Sequence, residues 1–285
     1  MKILITGGAG FIGTNLAIAL TKQGHEVYCF DNYITGKREN QQKYVKYYNI
    51  DVDKKMHLNY LKEPDLIFHL AALARIQPSF KDPLTCIKNN VNSTLNILEY
   101  ARIRRIPLIY SSSSTYHSGI WKSPYAYSKH SSEEFCKLFS KIYNMKIYSC
   151  RFYNVYGDYQ ITTGDYATVI GIFLDQYKNK KPLTIVGDGN QQRDFTHIDD
   201  IVNGLNCMKD KILDNYNGYK VYELGREKPH SINDIADFFG VNYPRKYLPK
   251  RPGEYEKSLA NSTETRKDLN WKAKKNIKDY ILENL

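Results

Sequence analysis

The sequence lacks several features that mark whole classes of protein. Its five cysteines are odd in number and show neither CxxC spacing nor the cysteine–histidine spacing of a zinc site. We therefore expect neither a disulfide framework nor a metal centre, and we expect the reducing cytoplasm as its compartment. No apolar run approaches the ~20 residues that a membrane helix needs, and residues 1–6 already have a strand pattern. Neither a membrane anchor nor a signal peptide is expected.

Positive charge is in excess but is not concentrated. Lysine and arginine number 41 against 30 aspartates and glutamates, which gives a formal net charge of +11. The basic residues are spread along the chain, without the cluster or stripe that typically marks a nucleic-acid-binding surface. Their abundance, together with that of tyrosine, asparagine and isoleucine, is typical of an AT-rich genome. We therefore expect no nucleic-acid partner.

What the sequence does contain is a regular alternation of short apolar segments and helical segments. Strands are predicted at 2–6, 25–30, 46–50, 65–71, 107–112 and 146–151. The longest helical stretches between them are 83–105 and 125–144, and another follows the first strand and ends at Gly24. This alternation favours an α/β fold of the Rossmann type, which is a doubly wound parallel sheet with helices on both faces.

The alternation breaks into shorter elements after residue 155. Turn signals occur at 187–190, 217–220 and 251–254. A chain of 285 residues is long enough for a domain and a smaller lobe. We predict an NAD-binding domain of residues 1–155 plus about 196–225. A smaller C-terminal α/β lobe for the substrate is predicted at about 156–195 and 226–285.

The segment TGGAGFIG joins the first predicted strand to the first helix. Gly7, Gly10 and Gly13 give it the spacing GxxGxxG, which arises by chance too often to be specific alone. Its position strengthens the signal, because backbone N–H groups and the positive end of a helix can bind a pyrophosphate there. Gly7 permits the tight turn, Gly10 admits the phosphate, and Gly13 allows close helix packing.

A carboxylate follows at the end of the second predicted strand. Asp31 can accept hydrogen bonds from the adenosine ribose hydroxyls and would repel a 2′-phosphate. The expected cofactor is therefore NAD rather than NADP. Asp51 and Val52 follow the third strand, where an adenine edge would lie. The alternative interpretation is a structural glycine turn with a surface aspartate.

The segment SPYAYSK contains a tyrosine four residues before a lysine, Tyr125 and Lys129. Spacing alone does not identify a catalytic pair, because it recurs at Tyr33/Lys37, Tyr177/Lys181 and Tyr216/Lys220. Only Tyr125 and Lys129 open a long predicted helix directly after the serine-rich end of a strand. Four residues on a helix place both side chains on one face.

Nine segments of the chain occur in an order known from one protein family. They are TGGAGFIG, DNYITGK, HLAALA, NNVNSTLNILEYAR, SSSSTY, SPYAYSK, RFYNVYG, GDGNQQRDFTHIDD and RPGE. In these segments the chain resembles the NAD-dependent epimerase/dehydratase branch of the extended short-chain dehydrogenases, from residue 1 to about 280. Within that branch it is most similar to UDP-glucose and UDP-N-acetylglucosamine 4-epimerases. The resemblance implies 4-epimerisation of a UDP-hexose through a transient 4-keto intermediate.

The resemblance also implies roles for individual residues. Tyr125 is the implied acid/base on the 4-hydroxyl, and Lys129 is implied to hold the nicotinamide ribose and to lower the tyrosine pKa. Counted back from Tyr116, Ser112 is the first choice for the serine partner and Ser113 is the second. The implied cofactor residues are Gly7, Gly10, Phe11, Ile12, Gly13, Asp31, Asn32, Asp51, Val52, Leu70, Ala71, Ala72, Asn90, Tyr125 and Lys129. The implied substrate residues are Asn154, Arg193, Arg251 and Glu254, with the arginines on the diphosphate.

Relatives share oxidation at C4 and differ in the step that follows. A 4,6-dehydratase typically has an Asp–Glu pair after the active hydroxyl residue, where this chain has Ser113 and Ser114, so epimerisation is favoured. Two departures from the family pattern lie before Tyr125. His117 replaces a common glycine, and only eight residues separate Tyr116 from Tyr125. Because this shortened segment normally lies beside the sugar, 4,6-dehydration or another NAD-dependent sugar-nucleotide oxidoreduction remains an alternative.

The resemblance further implies a homodimer in which helices 83–105 and 125–144 pair across a two-fold axis. Both segments carry apolar residues beyond a single stripe, which permits such pairing. A non-catalytic protein of the same fold, which would bind cofactor or a partner, is the remaining alternative. The intact Tyr125, Lys129 and serine cluster disfavour it.

Overall fold

The fold is built around one large parallel sheet. A computed structural model describes residues 1–54, 63–214 and 218–285. Its strands are β1 Lys2–Thr6, β2 Glu26–Asp31, β3 Lys46–Asn49, β4 Leu66–His69, β5 Leu108–Ser113, β6 Ile147–Phe152, β7 Val155–Tyr156, β8 Leu183–Val186, β9 Gln192–Asp194, β10 Thr196–His197, β11 Tyr219–Leu224, β12 Pro229–Ser231, β13 Arg245–Leu248 and β14 Lys257–Ser258.

Helices connect these strands. They are α1 Phe11–Lys22, α2 Ile76–Lys81, α3 Pro83–Ile87, α4 Ser93–Arg104, α5 Thr115–Ser118, α6 Pro124–Tyr143, α7 Val169–Lys178, α8 Ile198–Leu213, α9 Ile232–Asp237, α10 Thr263–Leu269 and α11 Ile277–Glu283. A π-helical turn, Lys88–Asn92, joins α3 to α4, and short 3₁₀ helices cover Arg38–Asn40 and Ile120–Lys122.

Seven strands of the described residues form the large sheet in the order β11-β6-β5-β4-β1-β2-β3, and every neighbouring pair is parallel. The central strands β1 and β4 are apolar and almost wholly buried, as expected where helices cover both faces of a sheet. Helices α1 and α8 contribute to the core on one face, and α4 and α6 contribute to the core on the other. The predicted Rossmann-type α/β class is confirmed.

Local backbone interactions explain where the first helix begins and ends. α1 begins at Phe11, because Gly10 has an extended conformation and its carbonyl accepts a hydrogen bond from the N–H of Thr14 at 2.9 Å. The helix ends before Gly24, whose φ of +81° is one that residues with a side chain rarely adopt. The glycine-rich segment therefore supplies both the turn after β1 and the first residues of α1.

The structure corrects the sequence interpretation at one edge of the sheet. Of the turn expected at 217–220, Gly218 is a bend, but Tyr219 and Lys220 already begin β11; Asn217 lies outside the described residues. β11 pairs with β6 along its whole length, from Tyr219 opposite Ile147 onward. The backbone hydrogen bonds of this ladder outweigh a local turn preference that the sequence shows on its own.

A smaller region with its own core packs beside the large sheet. Three small sheets, β7–β10, β8–β13 and β12–β9–β14, lie within residues 155–258. Apolar side chains of α7, β8, α9 and α11 form one buried cluster there. The division into residues 1–155 plus about 196–225, and about 156–195 plus 226–285, stays a prediction. Among the helices in the described ranges, none is both long and apolar enough to cross a membrane.

Candidate active site

A cleft of about 630 Å³ opens at the carboxyl ends of the central strands. Its walls come from the segments after β1, β2, β4 and β5 and from the smaller region, including Val186 and Ile232. In the sheet, β1 lies between β2 and β4, so the direction in which the chain winds reverses there. Ligands of open α/β sheets bind outside such a switch point. The cleft is therefore the candidate active site.

The glycine turn after β1 forms one end of the cleft. Gly7 has a φ of +71°, and a Cβ there would lie 2.9 Å from the backbone nitrogen of Ala71. A Cβ at Gly13 would lie 2.1 Å from the carbonyl oxygen of Gly7, so α1 packs this closely only without a side chain. At Gly10, by contrast, a Cβ would meet only that carbonyl oxygen, at 3.2 Å. The open space beside Gly10, at the positive end of α1, fits the pyrophosphate of a dinucleotide.

Asp31 ends β2 beside the glycine turn. Its buried carboxylate accepts hydrogen bonds from the backbone N–H groups of Ala9 at 2.9 Å and Tyr33 at 2.8 Å. Burial raises the pKa of Asp31, and these two hydrogen bonds oppose the rise. Asn32 donates to the carboxylate of Asp51 at 3.1 Å, which ties the segment after β2 to the segment after β3. This edge fits an adenosine ribose and places a carboxylate where it would repel a 2′-phosphate.

Asn90 lies behind the wall of the cleft. Its Oδ1 accepts a hydrogen bond from the backbone N–H of Leu73 at 2.8 Å, and its Nδ2 donates to Ser128 at 2.9 Å. Its backbone carbonyl accepts a hydrogen bond from Ser132 at 3.1 Å. The expected direct contact of Asn90 with the cofactor is therefore corrected: its polar groups bind the chain after β4 and the buried face of α6.

The Tyr125–Lys129 pair lies where β5 and α6 meet. α6 begins at Pro124, and the side chain of Ser123 caps it by accepting a backbone hydrogen bond. Tyr125 and Lys129 follow one helical turn apart, and both line the cleft. The Tyr125 hydroxyl donates to the Oγ of Ser113 at 3.4 Å. A tyrosine, a lysine and a serine are thus brought together at the carboxyl edge of the sheet.

Ser113, and not Ser112, faces Tyr125. Successive side chains of a strand point to opposite faces, so Ser111 and Ser113 share one face while Ser112 has the other. The hydroxyl of Ser112 donates to Glu133 behind the cleft. The first choice of Ser112 as the partner of the tyrosine is therefore corrected to Ser113.

Burial changes the pKa of both members of the pair. It lowers the pKa of Lys129 to about 8, and the Nζ of this residue lies 3.5 Å from the Oγ of Ser111. Burial raises the pKa of Tyr125, and the hydrogen bond with Ser113 and the positive charge of Arg75 oppose that rise. The resemblance assigns the lowering of the tyrosine pKa to Lys129. In the described part of the chain, the cation with this effect on Tyr125 is Arg75.

A buried ionic network supports the end of β5 from behind. Arg151 on β6 donates to Glu133 on α6 at 2.5 Å and to Glu223 on β11 at 3.2 Å. Glu223 also accepts a hydrogen bond from the hydroxyl of Tyr153 at 2.6 Å. Burial by itself would raise the pKa of Glu223, but hydrogen bonds from His117 and Tyr153 lower it to about 2. The network therefore joins three elements beneath the active-site serines.

His117 belongs to this network and not to the cleft. Its Nε2 lies 2.5 Å from a carboxylate oxygen of Glu223. The neighbouring Tyr116 ring stacks on Arg151, with 3.4 Å between the guanidinium carbon and the ring centre. Neither His117 nor residues 119–122 line the cleft. The expectation that this shortened segment lies beside the sugar is therefore wrong for these residues, because the network holds the segment toward β11.

Arg193 and Glu254 lie together at the end of the cleft formed by the smaller region. Arg193 donates to the Glu254 carboxylate at 2.9 Å and to the backbone carbonyl of Tyr255 at 2.8 Å. Its guanidinium carbon lies 4.1 Å from the centre of the Tyr255 ring. Asn154 donates to a backbone carbonyl of β9 at 3.2 Å, and Arg251 is exposed. The structure thus holds Arg193 in a fixed orientation toward the cleft.

Nearly all the predicted site residues line this one cleft. They are Gly7, Gly10, Phe11, Ile12, Gly13, Asp31, Asn32, Asp51, Val52, Leu70, Ala71, Ala72, Ser112, Ser113, Tyr125, Lys129, Asn154, Arg193, Arg251 and Glu254. The other tyrosine–lysine spacings do not contribute to it within the described residues, and Tyr216 lies outside them. The individual roles of the lining residues stay predictions.

Among the cleft residues that sequence reasoning missed are two large side chains, Arg75 and Tyr255. Each directly follows a segment that was recognised, since Arg75 follows HLAALA and Tyr255 follows RPGE. Arg75 donates from its Nε to the backbone carbonyl of Tyr166 at 2.9 Å. The available signal was a lone arginine, and lone arginines also occur at exposed positions of this chain, such as Arg105 and Arg251.

Comparisons with known proteins agree with this geometry. Residues 3–225 match the model of the NAD dependent epimerase/dehydratase family. The UDP-glucose 4-epimerase of Thermotoga maritima, solved with UDP-glucose, is 27% identical with a TM-score of 0.91, over 99% of this chain and 96% of its own. The UDP-glucuronic acid 4-epimerase of Bacillus cereus, solved with UDP-glucuronic acid and NAD, is 29% identical with a TM-score of 0.90, over 99% and 97%. UDP-glucuronic acid decarboxylase 1 of Danio rerio is 30% identical over 82% of this chain and 59% of its own.

The chain belongs to the NAD-dependent epimerase/dehydratase family. Its predicted cofactor, NAD, is confirmed by that membership, and the glycine turn and Asp31 fit it. The chain is therefore an enzyme of the NAD-dependent epimerase/dehydratase type, and its relatives include UDP-sugar 4-epimerases and a decarboxylase.

Proposed function

We propose that the chain is an NAD-dependent nucleotide-sugar 4-epimerase that acts on a UDP-hexose. The observation that carries the proposal is the presence of Ser113, Tyr125 and Lys129 in the same cleft as the dinucleotide turn. Reversible oxidation of a secondary alcohol needs a proton acceptor for its oxygen and a hydride acceptor for its carbon. In this proposal Tyr125 is the proton acceptor, and it lies in the same cleft as the glycine turn that would hold the hydride acceptor.

Tyr125 takes the proton of the sugar's 4-hydroxyl in this proposal. A tyrosine with a pKa of ~10 is only about one part in a thousand ionised at pH 7, so nearby positive charge raises its reactivity. Arg75 provides such a charge, the resemblance implies the same role for Lys129, and the hydroxyl of Ser113 would align the substrate oxygen with the phenol. The chemistry that the cofactor supplies is acceptance of the C4 hydride and its return. Tyr125 then protonates the oxygen of the inverted alcohol.

The 4-keto sugar has to rotate between oxidation and reduction while its diphosphate stays bound. Arg193 and Arg251 suit this anchoring role, because a planar guanidinium forms paired hydrogen bonds with phosphate oxygens. Glu254 and Tyr255 orient Arg193 from two sides. Glu254 would accordingly act on the substrate through Arg193, and Asn154 would line the path between diphosphate and sugar.

A 4,6-dehydratase is the alternative, and it needs an acid and a base near C5 and C6 of the sugar. The carboxylates that line the cleft are Asp31, Asp51, Asp53, Asp165 and Glu254. The first three lie at the adenosine end, Asp165 pairs with Lys81, and Glu254 pairs with Arg193. Ser114 and Thr115 follow Ser113, so no carboxylate occupies the positions after the active serine. This favours epimerisation.

The function is tested by incubating the purified protein with UDP-glucose, UDP-N-acetylglucosamine, UDP-glucuronate and UDP-xylose. Products are resolved by chromatography and identified by NMR, and we expect interconversion of C4 epimers with at least one of them. A 4-keto-6-deoxy product would instead establish the dehydratase. No product from any of the four, together with a protein that holds no cofactor, would refute the proposal.

Two phenylalanine variants test whether Tyr125 carries out the proton transfer. Tyr125→Phe should lower kcat by about 10²- to 10⁴-fold while leaving bound NAD in place, because it removes a proton-transfer group and little volume. Tyr127→Phe is the matched control, since Tyr127 is 42% exposed on the same helix and does not line the cleft. Unchanged turnover by Tyr125→Phe would remove this residue from the mechanism.

We further propose that the enzyme is a homodimer through α4 and α6. Large apolar side chains remain exposed on these helices, among them Ile103 at 60%, Leu138 at 46% and Ile142 at 61%. Apolar side chains exposed together on adjacent helices are typical of a subunit interface. Pairing these helices with those of a second copy would bury them.

A further inference from the structure

Arg75 brings a positive charge into the cleft that no carboxylate of the described residues neutralises. Its Nε donates to the backbone carbonyl of Tyr166 at 2.9 Å, which holds the base of the guanidinium. The two Nη nitrogens have no hydrogen-bond acceptor in the described ranges. Of the other arginines that line the cleft, Arg193 pairs with glutamate and Arg251 is exposed to solvent, while Arg151 behind the cleft pairs with glutamate as well. Arg75 is thus placed to bind an anion that the protein itself does not provide.

The position of Arg75 is unfavourable for a cation without such an anion. Its side chain is half-buried, and burial lowers the pKa of its guanidinium. A bound anion would offset this cost.

Arg75 lines the cleft together with Tyr125, the proposed base for the 4-hydroxyl, and its charge acts on the phenol of Tyr125 and, more weakly, on that of Tyr255. Arg193 is held by Glu254 and Tyr255 in the smaller region, where the diphosphate is proposed to bind. Because Arg193 and Arg251 are the proposed partners of the diphosphate, the anion left for Arg75 is a substituent of the sugar ring. On a hexose this is a carboxylate at C5 or one carried by the oxygen on C3.

We propose that Arg75 binds a carboxylate on the sugar ring beside C4, and that the enzyme therefore prefers acidic UDP-sugars to neutral ones. This inference rests on the proposed function, because it takes O4 of the sugar to lie at Tyr125. A guanidinium and a carboxylate form two parallel hydrogen bonds, which a neutral hydroxymethyl group does not reproduce. In a cleft partly shielded from water, such a pair is stronger than on an open surface.

The test compares four substrates and three variants. UDP-glucuronate carries its carboxylate on C5, and UDP-N-acetylmuramate carries one on the oxygen of C3. UDP-glucose and UDP-N-acetylglucosamine are their neutral counterparts. Arg75→Gln removes the charge, whereas Arg75→Lys keeps the charge and loses the planar fork. Arg105→Gln is the matched control, because Arg105 is exposed at the end of α4, which leads into the amino end of β5 and away from the cleft.

For the intact chain we expect kcat/KM for one acidic sugar to exceed that for its neutral counterpart at least tenfold. Arg75→Gln should lower the ratio of the acidic-sugar kcat/KM to the neutral-sugar kcat/KM by about 10- to 100-fold, mainly through the KM of the acidic sugar, because a charged hydrogen-bonded pair is lost. Because Arg75 also acts on Tyr125, any fall in kcat should be the same for acidic and neutral sugars. With the acidic sugar, kcat/KM for Arg75→Lys should lie between the values for the intact chain and for Arg75→Gln. Arg105→Gln should have the same kcat/KM as the intact chain. Which acidic sugar is preferred locates the carboxylate at C5 or at O3.

Equal losses for acidic and neutral sugars would show that Arg75 only supports the cleft wall, and a preference of the intact chain for neutral sugars would equally overturn the inference. Both outcomes are compatible with the proposed 4-epimerase function.

If none of the four sugars reacts, the proposed function fails, and binding affinities measured by calorimetry decide whether Arg75 binds a carboxylate of the sugar. Tighter binding of an acidic sugar that Arg75→Gln abolishes would support it, and equal affinities would overturn it. Release of carbon dioxide from UDP-glucuronate would show that the enzyme is a decarboxylase and not an epimerase. The effect of Arg75→Gln on KM would still decide the role of Arg75.

Discussion

The network beneath the active-site serines gives the sharpest prediction for stability, through Glu223→Gln. Both carboxylate oxygens of Glu223 accept hydrogen bonds, one from His117 and Arg151 and the other from Tyr153 and the backbone N–H of Asn261. A glutamine in either orientation turns its NH₂ group toward donors and removes the charge that pairs with Arg151. The variant should therefore unfold more easily at neutral pH.

The size of the effect follows from the pKa of Glu223, which falls from 4.5 to about 2 because hydrogen bonds from His117 and Tyr153 outweigh the opposing effect of burial. A carboxyl whose pKa is lower in the folded chain stabilises it above pH ~4.5, and this contribution is lost as the pH falls toward 2. At about 1.36 kcal/mol per pKa unit, the upper bound is about 3 kcal/mol. We discount this to about 2 kcal/mol, because the side chain of His117 is 48% exposed to solvent.

The assay is urea unfolding of the intact chain and of Glu223→Gln at pH 7 and pH 3. We expect a difference in the free energy of unfolding of about 2 kcal/mol at pH 7 that shrinks by more than half at pH 3. Glu283→Gln is the matched control, because Glu283 is exposed at the end of α11. A difference of the same size at both pH values would show that packing and not ionisation is responsible. No difference at pH 7 would refute the reasoning altogether.

Three further predictions concern the site and the assembly. Ser113→Ala should lower kcat by about 100-fold and Ser112→Ala by less than tenfold, because of the two serines only Ser113 contacts Tyr125. Steady-state kinetics with the preferred UDP-sugar measures both effects, and the reverse order would make Ser112 the partner of Tyr125. Gly13→Ala should abolish NAD retention, since its Cβ would lie 2.1 Å from a backbone oxygen; full NAD content in the purified variant would contradict this. Ile142→Glu should convert a dimer to a monomer in light scattering, and an unchanged mass would exclude α6 from the interface.

The glycine turn and the catalytic helix could be predicted because their signals are local. GxxGxxG after an apolar strand works through backbone conformation and the absence of Cβ atoms, and both belong to a few consecutive residues. Tyr125 and Lys129 share a helix face whatever the rest of the chain does. The sheet class also follows from local alternation of strand and helix.

The choice between Ser112 and Ser113 could not be settled in this way. A strand predicted to end at 112 leaves open which hydroxyl faces the helix, and the pairing of β5 with β6 carries the strand through Ser113. The position of Asn90 was misjudged for a related reason. Its side chain is satisfied by Leu73 and Ser128, which are 17 and 38 residues away in the chain.

The position of the segment after the serines could not be predicted from the sequence for the same reason. His117 appeared in the sequence as a departure from the family pattern near the sugar, and its partner Glu223 is 106 residues further along the chain. Glu223 reaches it only because β11 completes the sheet beside β6. Since β11 was predicted in part as a turn, no reading of the sequence could have connected the two residues.

The sequence by itself determined the cofactor turn, the acidic residue after β2, the tyrosine–lysine pair and the family to which the chain belongs. These features depend on residue types at short spacings, and short spacings translate directly into turn, helix and strand geometry. Only the tertiary structure decided which serine meets Tyr125, that His117 turns away from the cleft, and that Arg75 enters it without a described carboxylate partner. Those outcomes depend on strand register and on contacts between distant segments, which arise when the sheet and the smaller region pack together.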